Sequence, residues 1–405
     1  GARGAAHDAF AAAAERAREA GDAGLMARAA LAAGGLGVTI RRADPQVTAL
    51  LEEALAMDAA APDAVRRARL LGRLAEELYY DDRARAGALS REAVALAEGT
   101  GDPGALAAAL NARRVAIWDL AHLDERLATS EAMIAAARAA GEPGTVLQGR
   151  NWRVLDLMEH GEVEELEAEI GRYAAEADAL GLPHHSWYVP LWRAALAILR
   201  GDAGAGAALS EQARRLGARA GDPNAEMFAG IQRAQLLADA GRADAIDRDF
   251  VEGGIAGSPA AWAWETWLAW IDAASGDLDA ARARIDALAA DGFAAVALDA
   301  NWHAVLDLCE AVVMVGDRER AAALRRMLAP HAGRVAAVAR AALCCGPVDG
   351  YLARLALLCG DPAAAEAHAA RALAWCERAR AAPGIAAARA VLTGARAAME
   401  AGATP

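Results

Sequence analysis

Lysine is absent from the 405-residue sequence, so all 42 basic side chains are arginines. Without lysine the chain can form no Schiff base with a substrate, and it cannot supply the basic residue of a P-loop. Acidic residues outnumber the arginines and give a formal net charge of -13. Because nucleic-acid affinity depends on neutralising phosphates with basic side chains, we expect no direct nucleic-acid binding by this chain.

Long apolar runs are also missing. The longest run without a charged residue that we find lies between Asp178 and Arg193. It is shorter than the ~18 residues that a membrane-spanning helix needs. No N-terminal stretch resembles a secretory signal peptide. We therefore expect no membrane association.

Cysteine is scarce, and its pattern is that of unpaired thiols. The cysteines are odd in number, lack the spacing of a disulfide framework, and lie in apolar runs that look helical. Reduced thiols are typical of a reducing compartment, so we expect a cytoplasmic location. Cys344 and Cys345 are adjacent and should point about 100° apart on a helix. They are interpreted as a packed, reduced pair, with a redox or metal role as the alternative. The five cysteines are Cys309, Cys344, Cys345, Cys359 and Cys376.

Aromatic residues make up only 5% of the sequence, whereas hydrophobic residues make up 56%, much of it alanine. Alanine is the best helix former, and strands are enriched in β-branched and aromatic residues. The composition therefore predicts helices almost throughout the chain.

Glycine returns along the chain at an interval of 40 residues, and a second glycine series lies half a period away. This spacing indicates a unit of two helices and two turns. Each pair of amphipathic helices leaves an apolar face that only a neighbouring repeat can cover. The pattern predicts an all-α fold, an α-solenoid of about 40-residue helix-turn-helix repeats of the tetratricopeptide-like kind. The first series is Gly101, Gly141, Gly181 and Gly221, and the second is Gly161, Gly201 and Gly241.

The turn sequences explain why the helices end at these glycines. Gly101-Asp102-Pro103 recurs as Gly221-Asp222-Pro223 and Gly360-Asp361-Pro362. Glycine tolerates the left-handed conformation that ends a helix, and aspartate accepts from the free amides of the next one. Proline fits the first helical position, where no donor is needed. These turns favour closely spaced antiparallel helices.

The regularity of the repeat divides the chain into two parts. Residues 1–252 hold regular repeats, and residues 253–405 continue with less regular ones. Gly1 falls on the half-period series, so the chain starts in the middle of a repeat. We expect from this that the natural protein extends further. A longer linker is expected around Gly34-Gly35-Leu36-Gly37.

Four segments resemble the C-terminal tetratricopeptide-like region of large ATP-binding regulators of the LuxR type, which also occurs in ATPase proteins fused to nucleotide cyclases. The resemblance covers essentially the whole chain and rests on structural motifs. It implies that an ATPase module and a DNA-binding domain lie in other segments, and that the helical region senses a ligand or partner. The segments are LLEEALAMDAAAPDAVRRARLLGRLAEELYY (50–80), EAVALAEGTGDPGALAAALNARRVAIWD (92–119), DGFAAVALDANW (291–302) and DGYLARLALLCGDPAAAEAHAARAL (349–373).

Five arginines recur at the same 40-residue interval, each at the same place on the first helix of its repeat. Stacked helices lie ~10 Å apart, so the arginines should form a row on one side of the solenoid. Bonding to neighbouring helices is one interpretation, and a groove for acidic ligands is the other, since guanidinium groups match carboxylates and phosphates. The arginines are Arg73, Arg113, Arg153, Arg193 and Arg233, and the last four are candidate ligand contacts.

Tryptophan clusters in two places. Trp187 and Trp192 lie beside His184 and His185, and four tryptophans, including Trp264 and Trp267, crowd residues 262–270. Core packing accounts for such clusters in an alanine-rich repeat. The alternative is a ligand platform, so Trp187, Trp192, Trp264 and Trp267 are also candidate ligand contacts.

Catalytic sequence motifs are missing. No GxxxxGK[ST], HExxH or GxSxG motif and no spaced pair of CxxC motifs occurs, so we expect no enzymatic activity, no metal and no cofactor. The prediction is a regulatory solenoid that binds a small molecule, a peptide or a protein, with an acidic ligand as one interpretation and self-association as another expectation. An enzyme with its active site in the groove and a scaffold for protein assembly are the alternatives.

Overall fold

The structure is a computed structural model that describes residues 2–33, 42–181, 183–256, 258–294, 296 and 299–402. Helices make up most of these residues and pack as repeated pairs, which confirms the predicted all-α solenoid class. The predicted linker at Gly34-Gly35-Leu36-Gly37 lies outside the described residues, as do Gly1 and Leu182.

The chain divides into two compact units, and the boundary between them falls at Arg153 and Val154. The change in repeat regularity near residue 253 therefore lies within the second unit. Helix α8 contributes residues to both units. The helices up to this boundary are α1 Ala2–Ala20, α2 Ala23–Ala33, α3 Pro45–Ala60, α4 Ala64–Glu77, α5 Arg83–Thr100, α6 Pro103–Ala116, α7 Leu123–Ala139 and α8 Pro143–His160.

The second unit continues the helical pairs and adds one β-hairpin and two short 3-10 helices, Ala243–Ala245 and Ala329–His331. Its strands are β1 Val335–Val338 and β2 Leu343–Pro347. Its helices are α9 Val163–Leu180, α10 Pro183–Ser186, α11 Tyr188–Leu199, α12 Ala203–Ala220, α13 Asn224–Asp239, α14 Arg248–Ile255, α15 Ala261–Ala274, α16 Leu278–Ala289, α17 Ala304–Val315, α18 Arg318–Leu328, α19 Val348–Leu358, α20 Pro362–Ala379 and α21 Ala382–Gly402.

The helix ends follow the predicted turn chemistry. Gly101 ends α5 with a positive φ of 69°, a conformation in which a side chain is strained. The carboxylate of Asp102 then accepts a hydrogen bond of 2.6 Å from the amide of Ala105 and caps α6. Asp361 caps α20 in the same way, accepting from the amide of Ala364 at 3.1 Å. Local sequence therefore sets where these helices begin and end.

Helices pack against the next helix and the next but one, as expected for stacked repeats. In the first unit α4 contacts both α5 and α6. In the second unit α15 contacts both α16 and α17, and α19 contacts both α20 and α21. Small alanine faces form much of each interface: Ala68, Ala105 and Ala109 are fully buried between α4, α5 and α6.

The β-hairpin corrects the prediction that Cys344 and Cys345 lie on a helix. Both cysteines belong to β2, which pairs antiparallel with β1. Ala339 and Ala341 in the turn have positive φ values of 50° and 59°. Tertiary hydrogen bonds stabilise this turn against the helix propensity of its alanines, because Gln232 on α13 donates its Nε2 to the carbonyl of Ala342 at 2.6 Å.

The second unit also closes on itself between elements that are far apart in sequence. The indole nitrogen of Trp375 on α20 donates to the carbonyl of Gly161 at 3.0 Å. The indole nitrogen of Trp192 on α11 donates to the carbonyl of Arg340 in the hairpin turn at 2.8 Å. In addition, α21 packs against α11. Because of these contacts, helices from the beginning and the end of the second unit lie around a common internal space.

Candidate functional site

A cavity of about 370 Å³ lies within the second unit. This volume falls in the range of small-molecule sites, ~300–1,000 Å³. Its wall is formed by β2 and by α11, α13, α15, α17, α19, α20 and α21. The cavity therefore forms where helices that are distant in sequence pack against one another.

Two neighbouring helices present paired functional side chains to the cavity. Asp307 and Glu310 lie three residues apart on α17, and Tyr351 and Arg354 have the same spacing on α19. This spacing places each pair on one face of its helix. Since α17 packs against α19, the four side chains form a polar wall in a largely apolar surrounding.

Arg354 is held in place by two contacts within this wall. Its guanidinium forms an ion pair with Glu310 and lies 4.8 Å from the centroid of the Tyr351 ring. The Tyr351 hydroxyl donates to the carbonyl of Cys345 at 2.8 Å. The guanidinium and the phenol are thus fixed by the protein before any ligand binds.

Asp307 differs from these neighbours because, among the described residues, its carboxyl has no hydrogen bond and no ion pair. Protein encloses the residue, yet part of its surface stays accessible, and this part lines the cavity. Burial, with the nearby Glu310 carboxyl, raises the pKa of Asp307 to about 7. The carboxyl therefore changes its charge near neutral pH.

The remaining acids of the cavity are also affected by burial. Burial raises the pKa of Glu310, although Arg354 opposes the shift. Burial raises the pKa of Asp239 on α13, whose carboxylate accepts from the Gln235 amide at 2.7 Å. Among the residues that the structure describes, three carboxyl groups and one guanidinium thus line the cavity, and the guanidinium is already paired.

The cavity thiols are protonated and poorly nucleophilic. Burial raises the pKa of Cys344 to about 12 and that of Cys376 to about 11. Burial likewise holds the pKa of Cys345 well above its ordinary value. Because the thiolate is the reactive form, these cysteines serve as apolar wall.

The arginines predicted as ligand contacts occupy the first helices of their repeats, as expected, but differ in their contacts. Arg113 on α6 donates to Glu125 on α7 at 2.6 Å, and Arg153 donates to Glu131 on the same helix α7 at 3.1 Å. Arg193 and Arg233 are exposed in the second unit, and no ion pair engages them in the described part of the chain. None of these four arginines lines the cavity.

The four tryptophans that were predicted as candidate ligand contacts also differ in their surroundings. Trp187 and Trp192 are completely buried in the core, as the packing alternative describes. Trp264 packs against Phe250 at 6.1 Å between ring centroids and covers Gly254, where an added Cβ would lie 2.5 Å from the indole. Trp267 lines the cavity.

Sequence reasoning missed Asp307, Glu310, Tyr351 and Arg354. One signal was present: α17 reads Ala-Val-Leu-Asp-Leu-Cys-Glu-Ala-Val-Val-Met-Val, in which two acids interrupt an otherwise apolar helix. When neighbouring helices surround such a helix, its acids are buried or face a cavity, and both situations perturb the pKa. The approach of α19 to this helix has no comparable signal.

No protein-family model matches this chain, and no curated protein matches it in sequence. Within the described ranges, no helix is both long and apolar enough to cross a membrane. The same residues contain no group of three or more His, Cys, Asp or Glu side chains placed to hold a metal ion.

Proposed function

We propose that this chain is a ligand-sensing module of helical repeats, and that it binds a small organic molecule in the cavity of the second unit. The observation that carries this proposal is the polar wall of Asp307, Glu310, Tyr351 and Arg354 in a cavity whose other lining residues are mostly apolar. Concave apolar sites with a few fixed polar groups are the usual form of small-molecule sites. The pairing of Arg354 also supplies the preorganisation that such binding needs.

The position of the cavity supports a sensing role. A ligand there would contact helices that belong to different repeats, including α11, α17 and α21. A ligand that binds only when these helices are packed together stabilises that packing, by mass action, relative to conformations in which they separate. Occupancy of the cavity is thereby coupled to the packing of α20 and α21 against the earlier helices, which a partner segment can detect.

The resemblance of segments 50–80 and 349–373 to LuxR-type ATP-binding regulators supports a cellular context for this role. In that context the chain is the cytoplasmic sensor of an ATP-dependent transcriptional or signalling regulator. The small molecule is one partner, and the peptide or protein that receives the signal is the second. The exposed Arg193 and Arg233 are available for an acidic surface of that partner.

An enzyme remains the second candidate, because the pKa of Asp307, which burial raises to about 7, also suits a general acid or base. The cavity thiols are held protonated by burial, however, and Arg354 is occupied by Glu310. Recovery of a bound ligand chemically unchanged after prolonged incubation supports the sensor, and conversion of the ligand supports the enzyme.

The test is a thermal-shift screen of metabolite-sized compounds with a variant that fills the cavity. Gly350 lies on α19 in the cavity wall, and an added Cβ there meets only the Ala372 Cβ, at 3.9 Å. The Cβ of Gly350→Leu therefore fits without a clash, and the rest of the leucine side chain should extend into the cavity. Glycine is also a poor helix residue, so the variant should stay folded.

Gly171→Leu is the matched control, since Gly171 is an exposed helical glycine of α9 with open space around its Cβ position. We expect compounds that raise the melting temperature of the native chain and of Gly171→Leu but not of Gly350→Leu. Compounds that bind all three proteins equally, or a screen with no binder, would contradict the proposal.

A further inference from the structure

We infer that the cavity of the second unit recognises an organic ammonium ion, seated between the Asp307 carboxylate and the indoles of Trp267 and Trp270. This inference rests on the proposed function and names the chemical class of its ligand. It follows from the charge balance of the cavity, from the unpaired carboxyl and from the aromatic lining.

The charge balance of the cavity favours a positively charged ligand. Arg354, the only cation among the described residues of the lining, is neutralised by Glu310, and Asp239 is hydrogen-bonded to Gln235. Asp307 and Asp239 then remain as acids with no countercharge, and of the two only Asp307 also lacks a hydrogen bond in the described part of the chain. An anionic ligand would face this carboxyl and would have to compete with Glu310 for the guanidinium. A cation supplies the missing charge instead, and attraction between opposite charges is stronger where protein partly displaces the surrounding water.

The aromatic lining favours an organic cation over a metal ion. Trp267 and Trp270 on α15 both line the cavity and are only half-buried, and α15 packs against α17, which carries Asp307. Tryptophan is the strongest aromatic partner for a cation above its ring. Ca²⁺ and Mg²⁺ need six or more oxygen ligands, whereas the described residues form no metal-binding cluster.

Binding should release a proton from Asp307. Because burial raises the pKa of this carboxyl to about 7, the empty cavity holds it partly protonated at neutral pH. The cation binds the ionised form, so apparent affinity should fall up to about tenfold per pH unit below 7 and level off above it.

The other titratable and charged groups near Asp307 are Glu310 and Cys309 on its own helix, Tyr351 and Arg354 on α19, and Cys345 on β2. Burial holds the pKa of Cys309 well above its ordinary value, so this thiol stays neutral. Burial raises the pKa values of Tyr351 and Cys345 well above their ordinary ranges. Both groups therefore stay neutral over the range of about pH 6 to 8 in which Asp307 titrates. Glu310 remains paired with Arg354.

The experiment measures binding of choline by tryptophan fluorescence and calorimetry. Dimethylbutanol, in which a carbon atom replaces the quaternary nitrogen, is the neutral probe of the same shape. Choline does not itself lose a proton, so any pH dependence belongs to the protein. We expect choline to bind more tightly than dimethylbutanol, with weaker binding below pH ~7.

Asp307→Asn keeps the size of the side chain and removes its charge. It should weaken choline binding by at least about tenfold, abolish the pH dependence and leave dimethylbutanol binding unchanged. Asp279→Asn is the control, because Asp279 on α16 is 97% exposed and lies outside the cavity. It should bind choline like the native chain.

Equal binding of choline and dimethylbutanol, or full choline affinity in Asp307→Asn, would overturn the inference. Failure of choline to bind would do the same. If other compounds still bind the native chain and lose affinity in Gly350→Leu, the proposed small-molecule binding is supported, and only the recognition of an ammonium ion is rejected. If Gly350→Leu affects no compound, both proposals fail.

Discussion

Glu310 on α17 and Arg354 on α19 form an ion pair in the wall of the second unit's cavity. The two side chains are 25% and 26% exposed, so the pair is partly shielded from water. It joins two successive first helices of the repeat stack and fixes the guanidinium against the Tyr351 ring. The cavity thus has a rigid polar wall in the absence of a ligand.

Breaking this pair should destabilise the chain measurably. We expect Arg354→Ala and Glu310→Ala each to lower the free energy of unfolding by about 2 kcal/mol, with a coupling of at least about 1 kcal/mol in the double-mutant cycle. Urea denaturation measures both quantities. The exposed Asp279–Arg282 pair on α16 is the control and should show a coupling below about 0.5 kcal/mol.

The pH dependence of stability should identify Asp307. Burial raises its folded pKa to about 7, whereas an unfolded aspartate titrates near ~4. Between these values the folded state binds more protons, so this residue makes stability fall as pH rises from about 4 to 7 and level off above. Asp307→Asn should therefore gain stability relative to the native chain over this window.

Urea unfolding of both proteins at several pH values checks this expectation. The comparison also cancels the opposite contribution of His303, whose pKa burial lowers to about 4. A constant difference between native chain and Asp307→Asn across the window would show that the carboxyl titrates normally.

The two adjacent arginines Arg113 and Arg114 should behave very differently. Arg114 is completely buried, and its guanidinium lies 4.5 Å from the Trp152 ring centroid and 5.7 Å from that of Trp118. Arg114→Ala should lower the free energy of unfolding by about 3 kcal/mol or more. Arg113 has 13% of its side chain exposed and pairs with Glu125, which is 44% exposed, so Arg113→Ala should cost only about 1 kcal/mol. Chemical denaturation of the two variants decides between them.

The hairpin turn should depend on one buried amide. Gln232 donates to the carbonyls of Leu191 at 2.9 Å and Ala342 at 2.6 Å. Gln232→Ala leaves both carbonyls without this donor and should cost about 2 kcal/mol. It should also speed hydrogen exchange in residues 339–344 and thiol labelling of Cys344, which is only 7% exposed. Arg233→Ala, at the exposed next position, should change neither rate.

The sequence predicts features that depend on neighbouring residues and misses those that depend on distant ones. The residues of Gly101-Asp102-Pro103 are sufficient by themselves to end one helix and begin the next. Such turns therefore allowed the helix pairs and the all-α class to be predicted. The hairpin could not, because its alanines favour helix and Gln232, which holds the turn, lies 110 residues away. The same holds for the cavity: the crowding of tryptophans in residues 262–270 drew attention to Trp267, which lines it, but the approach of Tyr351 to Asp307 depends on tertiary packing.

The hydrogen bond from Trp375 to the carbonyl of Gly161 spans 214 residues, and the one from Trp192 to Arg340 spans 148. Stacked repeats otherwise fold through contacts between neighbours, which form quickly because they close short loops. The second unit combines this fast local assembly with a slow closure across most of its length. On the ribosome its helices can pair as they emerge, but the cavity can form only after α20 and α21 have been synthesised. A ligand of this cavity would therefore bind only after the second unit has been made through α21.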